Sequence, residues 1–317
     1  MVLLKSDNII YMSFVTIKLS LEEYQLAKNA YSTFVIPSSG EYVDFVADYN
    51  GVIITGYQSN KTYRKITFKG DNASLEASRW VKDLPERKEK TKVKTEWIDL
   101  EEQVGSDEVG VGDFLLPMIV VASHVKRSDI RKLKEFGIDD SKKMSDTKIR
   151  EIGPKVIREF EYSLLVIPNS KYNEMVDKGE HINSLKAKMH NRALANLLKT
   201  YPDIYKVYVD EFCSAEKYYS YLDEKDEPIV KNIGFKTKGE SYFPSVALSS
   251  VIARYRFLLK RDELSEKYGF EFLMGASSKV DELAKKLLQK VGREEFDKLV
   301  KKDFKNYNRI VNEKEEL

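Results

Sequence analysis

The sequence predicts an α/β protein in two parts, a small N-terminal α+β domain and a larger α/β domain. Its length of 317 residues suits two domains with a sizeable core. A charged run over 82–94, with six basic and three acidic residues and one proline, separates two stretches of strand and helix patterns. Beyond this run, apolar strand-like segments alternate with helical ones, as in α/β folds. The predicted boundaries are 1–84 for the N-terminal domain, 85–96 for a basic linker and 97–317 for the larger domain.

Composition excludes several classes of protein. The net charge of +2 is nearly neutral, so a site for a polyanion must arise from local clustering. The single cysteine, Cys213, excludes an internal disulfide and suits a reducing cytoplasm, and the three histidines are too dispersed for a zinc site. No stretch is apolar enough for a signal peptide or a membrane span. The expectation is a cytoplasmic globular protein with no membrane partner.

The N-terminal domain is predicted to fold as strand, helix, three strands and helix. The segment from Ser13 to Leu19 alternates like a strand, and Ser20 followed by Glu23 forms the capping box of a helix. Asn50-Gly51 is a strong hairpin signal between the next two strands. The remaining strands are predicted at 41–48, 52–57 and 62–68, and the second helix at about 72–82.

The last of these strands carries a candidate nucleic-acid-binding face. Alternation places Tyr63 and Lys65 on the face opposite Ile66 and Phe68. A sheet face with tyrosine and lysine can follow a nucleic-acid backbone and stack on bases or sugars. An ordinary solvated face is the alternative that the pattern leaves open.

The larger domain is predicted from alternating strand and helix patterns. Pro244 opens the longest helix, which is rich in small residues, and Ser145 caps an earlier helix. The strands are predicted at 103–109, 117–124, 162–167, 204–209 and about 229–235. The helices are predicted at 128–136, 145–160, 171–177, 183–198 and 244–268, followed by two or three amphipathic helices.

Two adjacent carboxylates, Asp107 and Glu108, lie in an apolar strand that glycines interrupt. Asp-Glu pairs occur six times in the chain, but only those that begin at Asp107 and Asp210 follow strand-like apolar runs. A buried pair of carboxylates is costly, so a metal ion or a shared proton is the usual reason for one. Glu240 follows 30 residues after Asp210, just ahead of the long helix. These four side chains are the candidate site.

The residue types of this site indicate a metal and a reaction. Ligands of α/β sheets gather where strands end, and acidic ligands without histidine or cysteine favour Mg²⁺ or Mn²⁺. Two such ions suit phosphodiester hydrolysis, in which one activates water and the other stabilises the leaving oxygen. Adjacent residues on a regular strand face opposite sides, so Asp107 and Glu108 share one site only if the backbone distorts. Gly110 and Gly112 make such a bend the expectation, and they would let the backbone approach a substrate.

The segment 105–113, Gly-Ser-Asp-Glu-Val-Gly-Val-Gly-Asp, resembles the first motif of the ribonuclease HIII family, the type 3 ribonucleases H. Further matching stretches follow in the family's order: Asp140 to Lys143, Met189 to Leu194, Val209 to Phe212, Lys238 to Ser241 and Ser249 to Tyr255. The resemblance covers about 97–310. The N-terminal domain resembles the family's extra domain, which is similar to half of a TATA-box-binding protein and binds substrate.

The resemblance implies a ribonuclease H-like catalytic domain, with a mixed central sheet flanked by helices. It implies a monomeric endonuclease that uses two Mg²⁺ or Mn²⁺ ions to hydrolyse the RNA strand of RNA/DNA hybrids, leaving 5′-phosphate and 3′-hydroxyl ends. The family's four catalytic and metal-binding acids carry over as Asp107, Glu108, Asp210 and Glu240. Two other functions stay open: type 2-like incision at single ribonucleotides in DNA, and a hybrid-binding module without catalysis.

Substrate contacts also carry over from the family. The backbone of Gly110, Val111 and Gly112 aligns with a segment that contacts ribose 2′-hydroxyls in related enzymes, and such a contact distinguishes RNA from DNA. The family's extra domain supports a substrate role for Tyr63 and Lys65. Lys142 and Lys143 are candidates for a phosphate contact, with a solvated loop as the alternative.

Other residues receive narrower expectations. Ser106 is expected to bond the backbone, His190 to be structural, and Arg254 either to brace the acidic site or to pair at the surface. Glu211 stands where the family commonly has glutamine, and the segment Leu273-Met274-Gly275-Ala276 lies where it more often has Pro-Lys-Gly. Neither difference from the family removes a proposed metal ligand. Both are expected to affect the affinity for substrate and not the reaction.

Overall fold

The computed structural model describes residues 13–38, 42–58, 62–81, 96–138, 144–225 and 228–312. The chain divides into two compact units, Met1–Val93 and Lys94–Leu317. The predicted linker over 85–96 lies outside the described residues except for Glu96, so its boundaries stay a prediction. Among the described helices, none combines the length and the apolarity needed to cross a membrane.

The first unit is a four-stranded antiparallel sheet with two helices against one face. Its elements are β1 (Ser13–Ser20), α1 (Leu21–Ala30), β2 (Val43–Tyr49), β3 (Val52–Tyr57), β4 (Tyr63–Gly70) and α2 (Ala73–Ala77), and the strand order is β1-β4-β3-β2. Ile17, Ile54 and Phe68 from the sheet pack with Tyr24 and Ala27 of α1 in the core. The predicted order of strand, helix, three strands and helix is confirmed.

Local signals account for most of this unit. The Ser20–Glu23 capping box is present, and Asn50 and Gly51 both have positive φ, as a tight hairpin turn requires. The second helix is shorter than predicted, because α2 ends at Ala77. Beyond it the Trp80 indole donates to the Tyr31 hydroxyl (2.7 Å).

The second unit has a five-stranded mixed sheet between two layers of helices, so the predicted fold class is confirmed. Its strands are β5 (Gln103–Val109), β6 (Met118–Val125), β7 (Tyr162–Ile167), β8 (Val207–Asp210) and β9 (Ile233–Lys236), in the order β7-β6-β5-β8-β9. Its helices are α3 (Ile130–Glu135), α4 (Asp146–Glu159), α5 (Asn169–Asp177), α6 (Ile182–Thr200), α7 (Ala215–Ser220), α8 (Pro244–Tyr268), α9 (Ser278–Leu299) and α10 (Lys305–Asn312). β5 pairs antiparallel with β6 and parallel with β8.

Each face of this sheet has its own core. One face packs against α3, α4, α8, α9 and α10, and the other against α5, α6 and α7. α8 crosses β5 closely, and its Ser249 hydroxyl donates to the Gly105 carbonyl (2.8 Å). Position along β5 therefore decides whether a side chain meets α8 or α6.

Several predicted bounds in this unit are wrong. β8 and β9 are shorter than predicted, and Asn232 adopts the left-handed conformation that ends an extended run before β9. Val230 donates its backbone N–H to the Asn191 side chain (2.9 Å), so the segment before β9 pairs with α6 rather than with a strand. The short helix α7, capped by Ser214, was not predicted, and Gly292 interrupts α9 with a φ of 77°.

We expect Gly105→Ala to lower the free energy of unfolding by about 1–3 kcal/mol through overpacking. A Cβ at this position would lie 2.4 Å from Ser245 Oγ and 2.7 Å from the Val246 backbone nitrogen. Denaturant unfolding measures the change. Gly112→Ala is the matched control, since a Cβ there meets no heavy atom within 4 Å. Equal stability of the Gly105→Ala variant and the unmodified protein would contradict this packing.

Candidate active site

Asp107 and Asp210 lie side by side at the ends of two parallel strands. Ser106 of β5 is in register with Val209 of β8, so the next residues of both strands are neighbours. Gly105 and Tyr208, two residues earlier, contact the α8 side of the sheet through Val246 and Phe243. Strand alternation therefore directs both aspartates toward α8.

A short turn brings Glu240 to the same place. Gly239–Ser241 forms a 3₁₀ turn, and the Gly239 N–H donates to Asp210 Oδ1 at 2.7 Å. Lys238 enters the turn in the left-handed conformation, with a φ of 62°. Trp97 Nε1 donates to the Glu240 carbonyl (3.3 Å), and the Glu240 residue is 5% exposed. The carboxylate of Asp210 thus helps to fix the turn that carries Glu240.

These three acids line one open pocket of about 290 Å³, together with Ile149, Ser250, Val251 and Arg254. Arg254 donates to Asp146 Oδ1 from Nε (2.9 Å) and from a terminal guanidinium nitrogen (2.7 Å). Both partners are partly exposed, so this ion pair contributes modestly to stability. Arg254 therefore pairs at the rim of the pocket that it lines, and its bracing of the acidic site stays a prediction.

The Asp107 carboxyl is buried among other negative charges. Burial raises its pKa, and the charges of Glu108 and Asp210 raise the pKa further. The Ser250 hydroxyl and the Glu108 N–H, which lies 2.7 Å from Asp107 Oδ1, donate to this carboxylate and oppose the rise. An ionised Asp107 is thus costly unless a positive charge enters the pocket.

The Glu108 side chain lies on the face of the sheet opposite to that of Asp107. The predicted backbone distortion between these two residues is therefore wrong. β5 pairs regularly with β6 through Asp107↔Val121, Glu108↔Val120 and Val109↔Ile119. The backbone turns only at Gly110, whose φ is 88°. Regular alternation therefore aims Asp107 at α8 and Glu108 at α6, although their charges still act on one another.

Two side chains from α6 hold the Glu108 carboxylate. Lys186 forms an ion pair with it, and His190 Nε2 lies 3.0 Å from Glu108 Oε2. Burial raises the Glu108 pKa, but the hydrogen bond and charge of His190 and the charge of Lys186 outweigh burial and lower it overall. Lys186 was not predicted, although its spacing of four residues from His190 places both on one face of a helix.

Ser106 completes this arrangement, and the expectation for its hydroxyl is wrong. Ser106 Oγ lies 2.7 Å from His190 Nδ1 instead of bonding the backbone. His190 is fully buried, and its ring stacks 5.5 Å from that of Phe212. Since both ring nitrogens are engaged, the imidazole has a fixed orientation toward Glu108.

The predicted substrate-binding residues fall into three groups. Gly110 requires glycine, since a Cβ there would lie 2.0 Å from the Pro117 carbonyl, whereas Val111 is half-buried and Gly112 is exposed. Lys142 and Lys143 lie outside the described residues.

Tyr63 and Lys65 belong to β4 of the first unit, on the face away from the buried Ile66 and Phe68. Lys65 is exposed, while Tyr63 is half-buried with the Lys18 ammonium 4.9 Å from its ring centre. The predicted separation of faces in this strand is present.

The donor set of the pocket fits hard divalent cations. Carboxylate and hydroxyl oxygens surround it, and such ligands suit Mg²⁺ and Mn²⁺. Within the described residues, no three acidic, histidine or cysteine side chains converge into one closed metal cluster.

Comparison with known sequences identifies relatives along both units. Residues 104–307 match the family Ribonuclease HII, and residues 14–93 match a domain of unknown function, DUF3378. The chain is 40% identical to Ribonuclease HIII of Bacillus cereus over 296 residues, which cover 90% of this chain and 93% of the relative. It is 39% identical to Ribonuclease HIII of Bacillus mycoides over 291 residues, 88% of this chain and 91% of the relative.

Solved structures give the same result at the level of fold. Bst-RNase HIII in complex with Mn²⁺ matches 96% of this chain and 100% of its own, with a TM-score of 0.66 and 28% identity. The ribonuclease H2 of Pyrococcus horikoshii matches 68% of this chain and 100% of its own, with a TM-score of 0.56. At 20% identity the latter shares the fold alone.

We expect Asp107→Asn to remove a pH-dependent loss of stability from the metal-free protein. The raised pKa makes ionisation of Asp107 unfavourable in the folded state, whereas the unfolded chain ionises it freely. The contribution of Asp107 to the free energy of unfolding therefore declines as pH rises from the ordinary pKa of 3.8 toward neutrality. The free energy of unfolding of the variant should therefore rise relative to that of the unmodified protein as pH increases over that range. Denaturant unfolding in chelator at several pH values measures it, and parallel pH profiles would contradict the burial of a strained carboxyl.

Proposed function

Because the chain belongs to the ribonuclease HII family and to its ribonuclease HIII members, we propose that it is a metal-dependent endonuclease that cuts the RNA strand of RNA/DNA hybrids. The observation that carries the proposal is the pocket where Asp107, Asp210 and Glu240 meet, while the charge of Glu108 acts on Asp107 from the other face of the strand. The products would carry 5′-phosphate and 3′-hydroxyl ends.

Asp107, Asp210 and Glu240 would hold the divalent ions, and Glu108 would complete their surroundings. When bound, two Mg²⁺ or Mn²⁺ ions would supply an activated water and stabilise the leaving oxygen. The chain's own part is to hold the acids in place: Lys186 and His190 orient Glu108, and the Gly239 N–H orients Asp210. Bst-RNase HIII, the solved relative, binds Mn²⁺.

The remaining surfaces would bind the hybrid. The backbone of Gly110, Val111 and Gly112 would contact ribose 2′-hydroxyls, and Lys142 and Lys143 would contact phosphate. Tyr63 and Lys65 of the first unit would hold the nucleic acid through stacking and charge. The enzyme would act as a monomer in the cytoplasm, with residues 1–84 as substrate-binding domain, 85–96 as linker and 97–317 as catalytic domain.

The first experiment compares a uniform RNA/DNA hybrid with a DNA duplex that carries one ribonucleotide. Each is incubated with Mg²⁺, with Mn²⁺ and with chelator. Metal-dependent cutting of the uniform hybrid, with little at the single ribonucleotide, is the expected result. Preferred cutting at the single ribonucleotide would favour the type 2-like activity, and binding without cutting would favour a binding module.

We expect Asp107→Asn, Asp210→Asn and Glu240→Gln each to reduce kcat about a thousandfold, since metal stabilisation of the transition state is worth several kcal/mol. Hybrid affinity, measured by fluorescence anisotropy, should stay close to that of the unmodified protein. Glu211→Gln is the matched control, because Glu211 follows Asp210 but bonds the Thr237 hydroxyl (2.8 Å) and should tolerate the change. Full activity in any of the three variants would remove that residue from the mechanism.

We expect the double change Tyr63→Ala and Lys65→Ala to raise KM about tenfold, because a lost stacking contact costs roughly 1–3 kcal/mol. The kcat should not change, since these residues lie far in sequence from the acidic pocket and would act in binding alone. The slope of log affinity against log salt concentration should also become shallower by about one unit, the contribution of one phosphate contact. Lys28→Ala is the control, since Lys28 pairs with Asp44 on the helical side of the same unit. An unchanged KM would leave this face as an ordinary solvated surface.

A further inference from the structure

Lys301 is a fully buried lysine that binds the backbone of the glycine-containing loop 110–116. Its ammonium donates to the carbonyls of Gly110 (2.6 Å), Asp113 (2.6 Å) and Leu116 (2.7 Å). Its own backbone N–H donates to the Phe114 carbonyl at 3.0 Å. A single residue from the C-terminal part of the chain therefore engages four carbonyls of this loop.

The cost of burying this ammonium indicates that the loop is specifically held. Burial lowers the Lys301 pKa to about 8, while the charges of Asp113 and Asp303 oppose the fall. An ammonium has three protons to donate, and three carbonyls accept them. A buried charge is tolerated only where it is fully hydrogen-bonded, and here that requirement fixes the positions of three loop carbonyls.

A second contact holds the loop from another segment. The Gly275 N–H donates to Asp113 Oδ1 (2.6 Å), and the Phe114 N–H donates to the Gly275 carbonyl (3.0 Å). The loop is thus bound on both sides, and Lys301 supplies the charged contact.

The contact with Lys301 sets the direction of nearby N–H groups. In a trans peptide the C=O and the following N–H point in opposite directions. Because the Gly110 carbonyl points at Lys301, the Val111 N–H points away from it. Among the described residues, neither the Val111 nor the Gly112 N–H has a hydrogen-bond partner, and Gly112 is exposed. These donors lie four and five residues beyond Asp107.

We propose that Lys301 is a positioning residue that holds the Gly110–Gly112 backbone with its N–H donors turned toward the substrate sugar. It thereby increases the preference for a ribose over a deoxyribose next to the cut. This inference rests on the proposed ribonuclease activity. Lys301 does not itself contact the substrate, because it is buried beneath the loop.

The test measures sugar discrimination rather than activity alone. A hybrid with one cleavage site carries a 2′-deoxy substitution at one nucleotide at a time around that site. The discrimination ratio is kcat/KM for the all-ribose strand divided by kcat/KM for the substituted strand. Lys301→Met should lower the largest ratio about tenfold, the size of one lost hydrogen bond to the sugar.

Asn173→Ala is the matched control for general loosening of the same region. The Asn173 amide donates to the carbonyls of Asp297 (3.0 Å) and Val300 (2.9 Å) and accepts from the Lys302 N–H (3.0 Å). It therefore anchors the segment around Lys301 without bonding the glycine-containing loop. Its loss should lower the melting temperature but leave the discrimination ratio unchanged.

The outcomes separate this inference from the proposed function. If Lys301→Met lowers activity and melting temperature but keeps the full discrimination ratio, Lys301 is structural and the inference is overturned. If the unmodified protein cuts no hybrid with either metal, the proposed function fails first. If Lys301→Met does not fold, Lys301→Gln replaces it, because glutamine retains two N–H donors; its ratio should still fall below that of the unmodified protein. A full ratio in the Gln variant would then overturn the inference.

Discussion

The burial of the Asp107 carboxylate is the constraint around which the second unit is arranged. β5 ends beside β8, so Asp107 and Asp210 are adjacent by the register of a parallel pair. The close crossing of α8 then covers Asp107 and leaves it 7% exposed. A carboxylate in this position is stable as an anion only if positive charge is supplied locally. The pocket is open on that side, and this is what a site for exchangeable cations requires.

The carboxylates on the two faces of β5 are stabilised by different kinds of groups. On the α6 face the protein supplies its own partners to Glu108, the Lys186 ammonium and the His190 imidazole. On the α8 face the groups that stabilise an anionic Asp107 are neutral donors, the Ser250 hydroxyl and a backbone N–H. The adjacent acids are therefore unequal. The negative charge of Glu108 is balanced by side chains of the protein, whereas that of Asp107 depends on a cation entering the pocket.

The sequence predicts those parts of the fold whose cause is local. Ser20, Ser145 and Pro244 mark helix starts because capping and the fixed proline φ act within one turn. The family resemblance read from the motifs is confirmed by the relatives of 39% and 40% identity. Contacts between distant segments are different. The Ser106–His190 hydrogen bond spans 84 residues, and no spacing in the sequence reveals it.

The failed expectation about Asp107 and Glu108 has the same origin. The sequence shows two adjacent acids and two glycines, and a bend between the acids is the simplest way to bring them into one site. The structure keeps the strand regular through Val109 and places its turn at Gly110, where a Cβ would meet the Pro117 carbonyl. Regular pairing keeps the backbone hydrogen bonds of β5, and Glu108 then needs partners of its own on the other face. Lys186 and His190 of α6 meet that need, so the regular course of β5 accounts for the burial of the Lys186 ammonium on the α6 side of the sheet.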